Sequence, residues 1–333
     1  MATSIGSSSS DALVITGISK RYAHHVAVRD LSLRVPRGSV YGLLGPNGAG
    51  KTSTIRMVLN IMAPDTGSIT VLGCASTDPG ITDRLGYLPE ERGLYRKMRV
   101  RDVLRFLGRL KGLPAVGLDT TIDAWLERFA LRGAGGEDWS AARVDELSRG
   151  MQQKVQFIGA LMHDPELVVL DEPFSGLDPV NAQALKDTVA SLRTRGRTVI
   201  FSTHVMENAE RMCDAVCIIA RGDKVLDGPV AEVRAQHGAR LVALGFAAVP
   251  SPAVQQLLHD PAVVTPPATG AVTDALVMEV ELAAGATSDQ LLARLVALQA
   301  PLERFELVRP SLHRIFLERV GAAGVETGVS GHG

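Results

Sequence analysis

The sequence predicts an α/β fold followed by a small α+β domain, and three observations carry that prediction. Ser39 to Leu44 is a short apolar run that stops at Gly45, and a helical pattern begins near Lys51. Strand, glycine-rich turn and helix in succession are an α/β beginning. Two later apolar runs, Leu167 to Leu170 and Thr198 to Phe201, each follow a helical segment and read as buried parallel strands. Past His237 and Gly238 charges thin out, Ala, Val and Pro rise, and the pattern becomes β-α-β-β-α-β, the ferredoxin-like order.

Taken along the chain, Met1 to Ser10 is Ser-rich and lacks both a basic start and an apolar stretch, so it is expected to be a disordered lead and no signal peptide. Ala12 to Val35, rich in Val, Ile and Leu, predicts a β-rich N-terminal subdomain. Between Val100 and Ala142 the character turns helical, as in Val100 to Lys111 and Thr121 to Ala130, so a helical subdomain over about 95–165 interrupts a core domain spanning 11–237. The accessory domain, 238–320, reads as strand Arg240–Phe246, helix Ala253–His259, strands Val263–Thr265 and Ala275–Leu282, helix Ser288–Leu298, strand Arg304–Val308 and helix Leu312–Val320. The Gly-rich end, 321–333, is expected to be disordered.

A chain of 333 residues with 46% hydrophobic and 21% charged residues has ample material for two cores. A net charge of -1 disfavours wholesale binding to nucleic acid or acidic lipid. Cys74, Cys213 and Cys217 are too few for a disulfide framework and have no His or Cys neighbours to complete a metal site; they read as small core residues in a reducing compartment. Leu241 to His259 contains no Asp, Glu, Lys or Arg, yet Pro250, Ser251, Pro252, Gln255 and Gln256 interrupt it, so it is no membrane span.

Gly45-Pro46-Asn47-Gly48-Ala49-Gly50-Lys51-Thr52 fits G-x-x-x-x-G-K-[ST]. Glycines let the backbone N–H groups wrap phosphates, and the following helix adds its positive end. Lys51 supplies mobile charge for the β- and γ-phosphates, Thr52 a hydroxyl for Mg²⁺, and Ser53 follows in the same turn. A glycine-rich turn with a surface lysine is the plain alternative; a strand before the motif and a helix after it argue against that. The glycine spacing excludes G-x-G-x-x-G dinucleotide binding. Leu167-Val168-Val169-Leu170-Asp171-Glu172 is a buried strand that delivers Asp171 toward Mg²⁺ and Glu172 as a general base for water. Four apolar residues before two acids are common strand ends, but paired with the phosphate loop they mark a P-loop NTPase.

Leu147-Ser148-Arg149-Gly150-Met151-Gln152-Gln153 resembles the LSGGQ signature of ABC ATPases, keeping Ser148 and Gly150 while Arg149 and Met151 depart from it. Ser148 also suits an N-cap, so an ordinary capped helix is the plain reading of this stretch alone. Ser175-Gly176-Leu177-Asp178 looks like the D-loop, Ser202-Thr203-His204 like the switch-histidine strand end, and Tyr22 like the aromatic that stacks on adenine. The plain alternatives are a satisfied histidine and a strand-packing tyrosine. Together these marks cover about Leu13 to His237. Tyr87-Leu88-Pro89-Glu90-Glu91-Arg92-Gly93-Leu94-Tyr95 and Pro310-Ser311-Leu312 through Ile315-Phe316-Leu317 are similar to exporter ATPases associated with sodium and antibiotic efflux. Glu90 stands where most of the family has Gln, and His313 where an acidic residue is usual.

The resemblance implies an ATP-hydrolysing subunit using ATP and Mg²⁺, with Lys51, Glu172 and His204 catalytic and Thr52, Asp171 and Glu90 on the metal side. It implies nucleotide contacts from Tyr22, Gly45 to Ser53, Ser148, Gly150 and Asp178. Two copies, or one copy and a related subunit, are expected to close head-to-tail around ATP, each site using the other chain's Ser148 and Gly150. A separate membrane-spanning permease is the expected partner, holding this chain peripherally at the cytoplasmic face of the cell membrane; export is the expected direction, and nucleic acid is not expected. Glu90 is either a metal-side ligand or part of a hinge. Arg101, Arg105 and Arg109 recur every four residues and share a helical face expected to meet the partner or lipid headgroups, against a plain solvated face. The rival readings are a cassette that regulates a membrane complex without transport, and a soluble DNA- or ribosome-acting ATPase. The latter usually has two cassettes, coiled-coil insertions or zinc modules, none of which is visible here.

Overall fold

The computed structural model describes residues 10–23, 25–91, 93–133, 138–237, 240–265, 276–308 and 310–326. The expected disordered lead over residues 1–9, and residues 327–333 of the expected tail, lie outside them. The chain divides into two compact units, one up to Pro229 and one from Val230.

In the first unit, β1 (Asp11–Tyr22) and β2 (His25–Pro36) form a hairpin, and β3 (Val40–Leu44) leads into α1 (Lys51–Val58). β4 (Thr66–Val71), β5 (Cys74–Ala75) and β6 (Leu85–Leu88) precede the helical part, α2 (Val100–Leu110), α3 (Leu118–Arg128) and α4 (Arg149–Leu161). β7 (Leu167–Asp171), α5 (Pro179–Thr194), β8 (Thr198–Thr203), α6 (Met206–Met212), β9 (Ala215–Ala220) and β10 (Asp223–Pro229) complete it.

Two sheets result. One is antiparallel in the order β2-β1-β4-β5; the other runs β10-β9-β3-β8-β7-β6 and is parallel except for β9 against β10. Every residue of β3, β7 and β8 is buried, as central parallel strands covered on both faces require. α1 contacts β2, β4 and β7, and its Ile55 and Val58 join Leu13, Ile15, Leu33, Tyr41, Leu43, Val169 and Ile200 in one core. Each such side chain, fully buried, stabilises the fold by about 1.5–3 kcal/mol.

The helical part corrects the basic-stripe expectation. Arg101 pairs with Asp119 at 3.7 Å and Asp123 at 2.5 Å, and Arg105 takes Asp119 through Nε at 2.7 Å and Nη2 at 2.9 Å. Both arginines therefore tie α2 to α3 and are not a free basic surface; Arg109 is exposed. The acids that neutralise them lie on the next helix, which a single-helix periodicity does not reveal.

The second unit begins earlier than the composition shift suggests, at α7 (Val230–His237), because this helix packs on the last one and Arg234 donates to the Pro310 carbonyl at 3.0 Å. β11 (Leu241–Phe246), α8 (Pro252–Leu258), β12 (Val264–Thr265), β13 (Val277–Leu282), α9 (Ser288–Ala297), β14 (Leu302–Leu307) and α10 (Leu312–Glu326) follow. The antiparallel sheet order β12-β13-β11-β14 is that of a ferredoxin-like fold. Val254, Leu257 and Leu258 of α8 and Leu291 and Leu295 of α9 pack with Val242, Leu244 and Val280. α10 continues to Glu326, so the helix takes in residues expected to belong to the tail. Among the described residues no helix is long and apolar enough to cross a membrane.

Candidate functional site

Strand adjacency assembles the site. β3, β8 and β7 are neighbours, with Leu44 opposite Thr203 and Asp171 opposite Ser202. Their carboxyl ends therefore deliver the Gly45 loop, His204 and the Asp171–Glu172 pair side by side, with strands about 4.8 Å apart.

The loop after β3 can be followed only by glycine at two points. At Gly45 (φ 152°) a Cβ would lie 2.1 Å from the Ile219 carbonyl oxygen, and at Gly50 (φ 108°) 2.2 Å from that of Ala27. The chain thus turns tightly into α1, whose first residue, Lys51, is only 5% exposed. Its ammonium donates to the Gly45 carbonyl at 2.7 Å and the Pro46 carbonyl at 3.2 Å, and lies 3.3 Å from Glu172 Oε1. A cleft of ≈ 460 Å³ opens over this turn, lined by Asn47 through Ser53 together with Tyr22, His25, Ala27, Glu90 and Glu172.

Glu172, 8% exposed, takes a left-handed backbone at φ 46°, a conformation that costs a non-glycine residue about 1–3 kcal/mol. What holds it there is Ser202. The Glu172 N–H donates to Ser202 Oγ at 2.9 Å, and that hydroxyl donates to Asp171 Oδ1 at 2.5 Å. The Glu172 carboxylate meets His204 Nδ1 at 3.0 and 3.1 Å. Lys51 and His204 thus both contact the Glu172 carboxylate.

Asp171 offers the test for a metal. Its Oδ1 is taken by Ser202, while its buried Oδ2 has no hydrogen-bond partner among the described residues. A buried carboxylate oxygen without a partner is costly unless a cation or bound water completes it. Thr52 lines the cleft together with Glu172, the residue after Asp171, so Thr52 and Asp171 offer an all-oxygen donor set that suits Mg²⁺. Glu90 is exposed and lines the cleft, so it is within the site's rim, on the side of Glu172.

Asp171 and His204 do not line the cleft themselves but adjoin Glu172, which does, whereas three expected residues sit at the starts of α4 and α5. Ser148 caps α4, accepting from the Met151 N–H at 3.3 Å, and is exposed. Gly150 faces α5, where a Cβ would lie 3.0 Å from Asn181 Nδ2. Asp178 caps α5 by accepting from the Asn181 N–H at 3.0 Å, a bond that holds its carboxyl below the usual range. None of the three lines the cleft. Tyr22 does, at 41% exposure, with its hydroxyl on Met62 Sδ at 3.0 Å. Two residues of the site carry no sequence signal of their own. Ser202 stands in its motif only as a neighbour of His204, and its bridging role depends on β7–β8 register. His25 carried no signal beyond its place after a turn.

Residues 28–175 match the family described as ABC transporter, and residues 228–320 the family described as ATP-binding protein DrrA1-3-like, C-terminal domain. The chain is 40% identical over 310 residues to the uncharacterized ABC transporter ATP-binding protein YhaQ of Bacillus subtilis (strain 168), covering 93% of this chain and 99% of that one. It is 37% identical over 242 residues to the Nod factor export ATP-binding protein I of Rhizobium leguminosarum bv. viciae, covering 71% and 76%. A solved structure described as the ATP binding subunit of an ABC transporter superposes with a TM-score of 0.62 at 30% identity, covering 68% of this chain and 93% of that one.

Proposed function

Since this chain belongs to the ABC transporter ATP-binding proteins, we propose that it is the ATP-hydrolysing subunit of an exporter, driving a separate membrane-spanning permease from the cytoplasmic face. The observation that carries the reading is the division of the site. Asn47 to Ser53 and Glu172 line one cleft, with Asp171 next to Glu172 in the chain and His204 bonded to the Glu172 carboxylate, whereas Ser148 and Gly150 lie outside it at the start of α4, capped by the exposed Ser148. A site completed by the α4 end of a second copy or a related subunit accounts for that arrangement. The direction of transport follows the relative whose name records Nod factor export.

The chemistry is phosphoryl transfer to water, achieved by positioning and charge stabilisation. Backbone N–H groups of 45–52 and the start of α1 receive the phosphates. Lys51 exchanges its bonds to the Gly45 and Pro46 carbonyls for the β- and γ-phosphate oxygens. Glu172 orients the attacking water and accepts its proton, and His204, bonded to Glu172, fixes that carboxylate and faces the γ-phosphate. Thr52 and Asp171, with Glu90 at the rim, would hold Mg²⁺, which would supply positive charge against the phosphate oxygens. Asp178, at the start of α5, acts across the interface with Ser148 and Gly150. The edge-to-face pair of exposed Tyr95 and half-exposed Phe106, ring centroids 5.5 Å apart, lies on the segment after Glu90 and offers an apolar contact to the permease.

The test compares Glu172→Gln with Lys51→Ala by sizing chromatography at high protein concentration and by phosphate release. Glu172→Gln should accumulate as an ATP-dependent dimer with very slow turnover, and Lys51→Ala should neither dimerise nor hydrolyse. A Glu172→Gln protein that stays monomeric with ATP in the presence of its permease overturns the two-copy site.

A further inference from the structure

The β1–β2 hairpin ends in a directly opposed pair, Tyr22 and His25. Opposed residues of an antiparallel pair project to one face with Cβ atoms about 4.5–5.5 Å apart. That face is the nucleotide cleft, since both residues line it. Ala27, two residues further along β2 and so on the same face, lines it too and brings its carbonyl against Gly50 at the start of α1. Two residues of strand span about 6.6 Å, so His25 stands one such step from the turn that receives the phosphates, and beside the tyrosine that receives the base. The imidazole is exposed and has no hydrogen bond or ion pair with the described residues. Its ring nitrogens are therefore available to a ligand, and the segment of a nucleotide that lies between base and β-phosphate is the sugar and α-phosphate.

We infer that His25 is a nucleotide-binding residue that donates a hydrogen bond to the sugar–α-phosphate segment, completing a hairpin-borne clamp in which Tyr22 stacks on the base. This rests on the reading of the cleft as the ATP site. The clamp ties the β-rich subdomain to the nucleotide by a polar contact in addition to stacking, which gives the site a means of sensing the nucleoside part separately from the triphosphate.

Binding of ADP and of AMP to the full chain, measured by titration calorimetry with Mg²⁺, tests the inference. His25→Ala should weaken both by a similar factor, about five- to tenfold, as expected for one polar contact of roughly 1–1.4 kcal/mol. His25→Gln, which keeps a donor, should recover most of that loss, whereas His25→Phe should not. In turnover assays His25→Ala should raise KM for ATP by more than it lowers kcat. Affinities for both nucleotides within twofold of the parent in His25→Ala, while Lys51→Ala loses ADP binding, overturn the role of His25 and leave the cleft intact. A loss with ADP but none with AMP also overturns it, because the contact would then lie beyond the α-phosphate. ADP binding unaffected in both variants overturns the cleft itself.

Discussion

Replacing Ser202 by Ala tests how the Asp171 and Glu172 carboxylates are held. The hydroxyl is fully buried, accepts the Glu172 N–H at 2.9 Å and donates to Asp171 Oδ1 at 2.5 Å. Its removal leaves two buried groups without that partner, one a backbone donor and one a carboxylate oxygen. An unsatisfied buried group costs about 1–3 kcal/mol, and a hydrogen bond to a charged group is worth about 1.5–3 kcal/mol. Partial relaxation and a small cavity act in opposite directions, so a loss of about 2–4 kcal/mol of unfolding free energy is expected. Both tryptophans, Trp125 and Trp139, lie in the unit that contains Ser202, so their fluorescence during urea unfolding reports on that unit. The midpoint should fall without a change in slope. Because Glu172 is held at φ 46° by this same bond, turnover at saturating ATP should fall by about ten- to a hundredfold, equal to roughly 1.4–2.8 kcal/mol of barrier. Half-maximal Mg²⁺ should also rise as Asp171 loses its orientation. A stability loss below about 0.5 kcal/mol together with turnover within twofold of the parent would falsify the account of Ser202 as the brace.

Glu90→Gln should keep hydrolysing ATP but need more Mg²⁺ for half-maximal activity, and Glu90→Ala should lose permease-stimulated hydrolysis more than nucleotide binding; superimposable Mg²⁺ curves for all three proteins leave Glu90 only a hinge. Arg105→Asp should lower the thermal midpoint of the tryptophan-containing unit, and adding Asp119→Arg should restore it, since the fork between them ties α2 to α3; no rescue by the swap refutes the bridge. Stability should fall as pH drops below about 6.5, because burial holds the His163 imidazole below its ordinary range, so the unfolded chain takes up its proton first. His163→Gln, which retains a donor to the Leu85 carbonyl, should flatten that pH dependence of the thermal midpoint, and an unchanged profile removes His163 as its source.

Local sequence was enough to determine the phosphate loop, because a strand, a glycine-rich turn and a lysine at a helix start are bound together within a dozen residues, where backbone sterics and the helix end act directly. The same holds for the cap made by Ser148, and for the β-α-β-β-α-β order of the second unit, which periodicity and turn residues write along the chain. What only tertiary structure decided are the relations between distant segments. Ser202 braces Glu172 and Asp171 because β8 pairs with β7 in one register, and a one-residue slip would turn that hydroxyl to the opposite face. His25 reaches the cleft over the Gly45–Lys51 turn because it opposes Tyr22 across the hairpin. Arg101 and Arg105 lose their free charge to acids on α3, and α7 joins the second unit through α10 although the composition changes only after it. Each of these depends on which surfaces meet, a matter of packing and strand register between residues far apart in sequence, whereas propensity and periodicity act only over a few turns or a single strand.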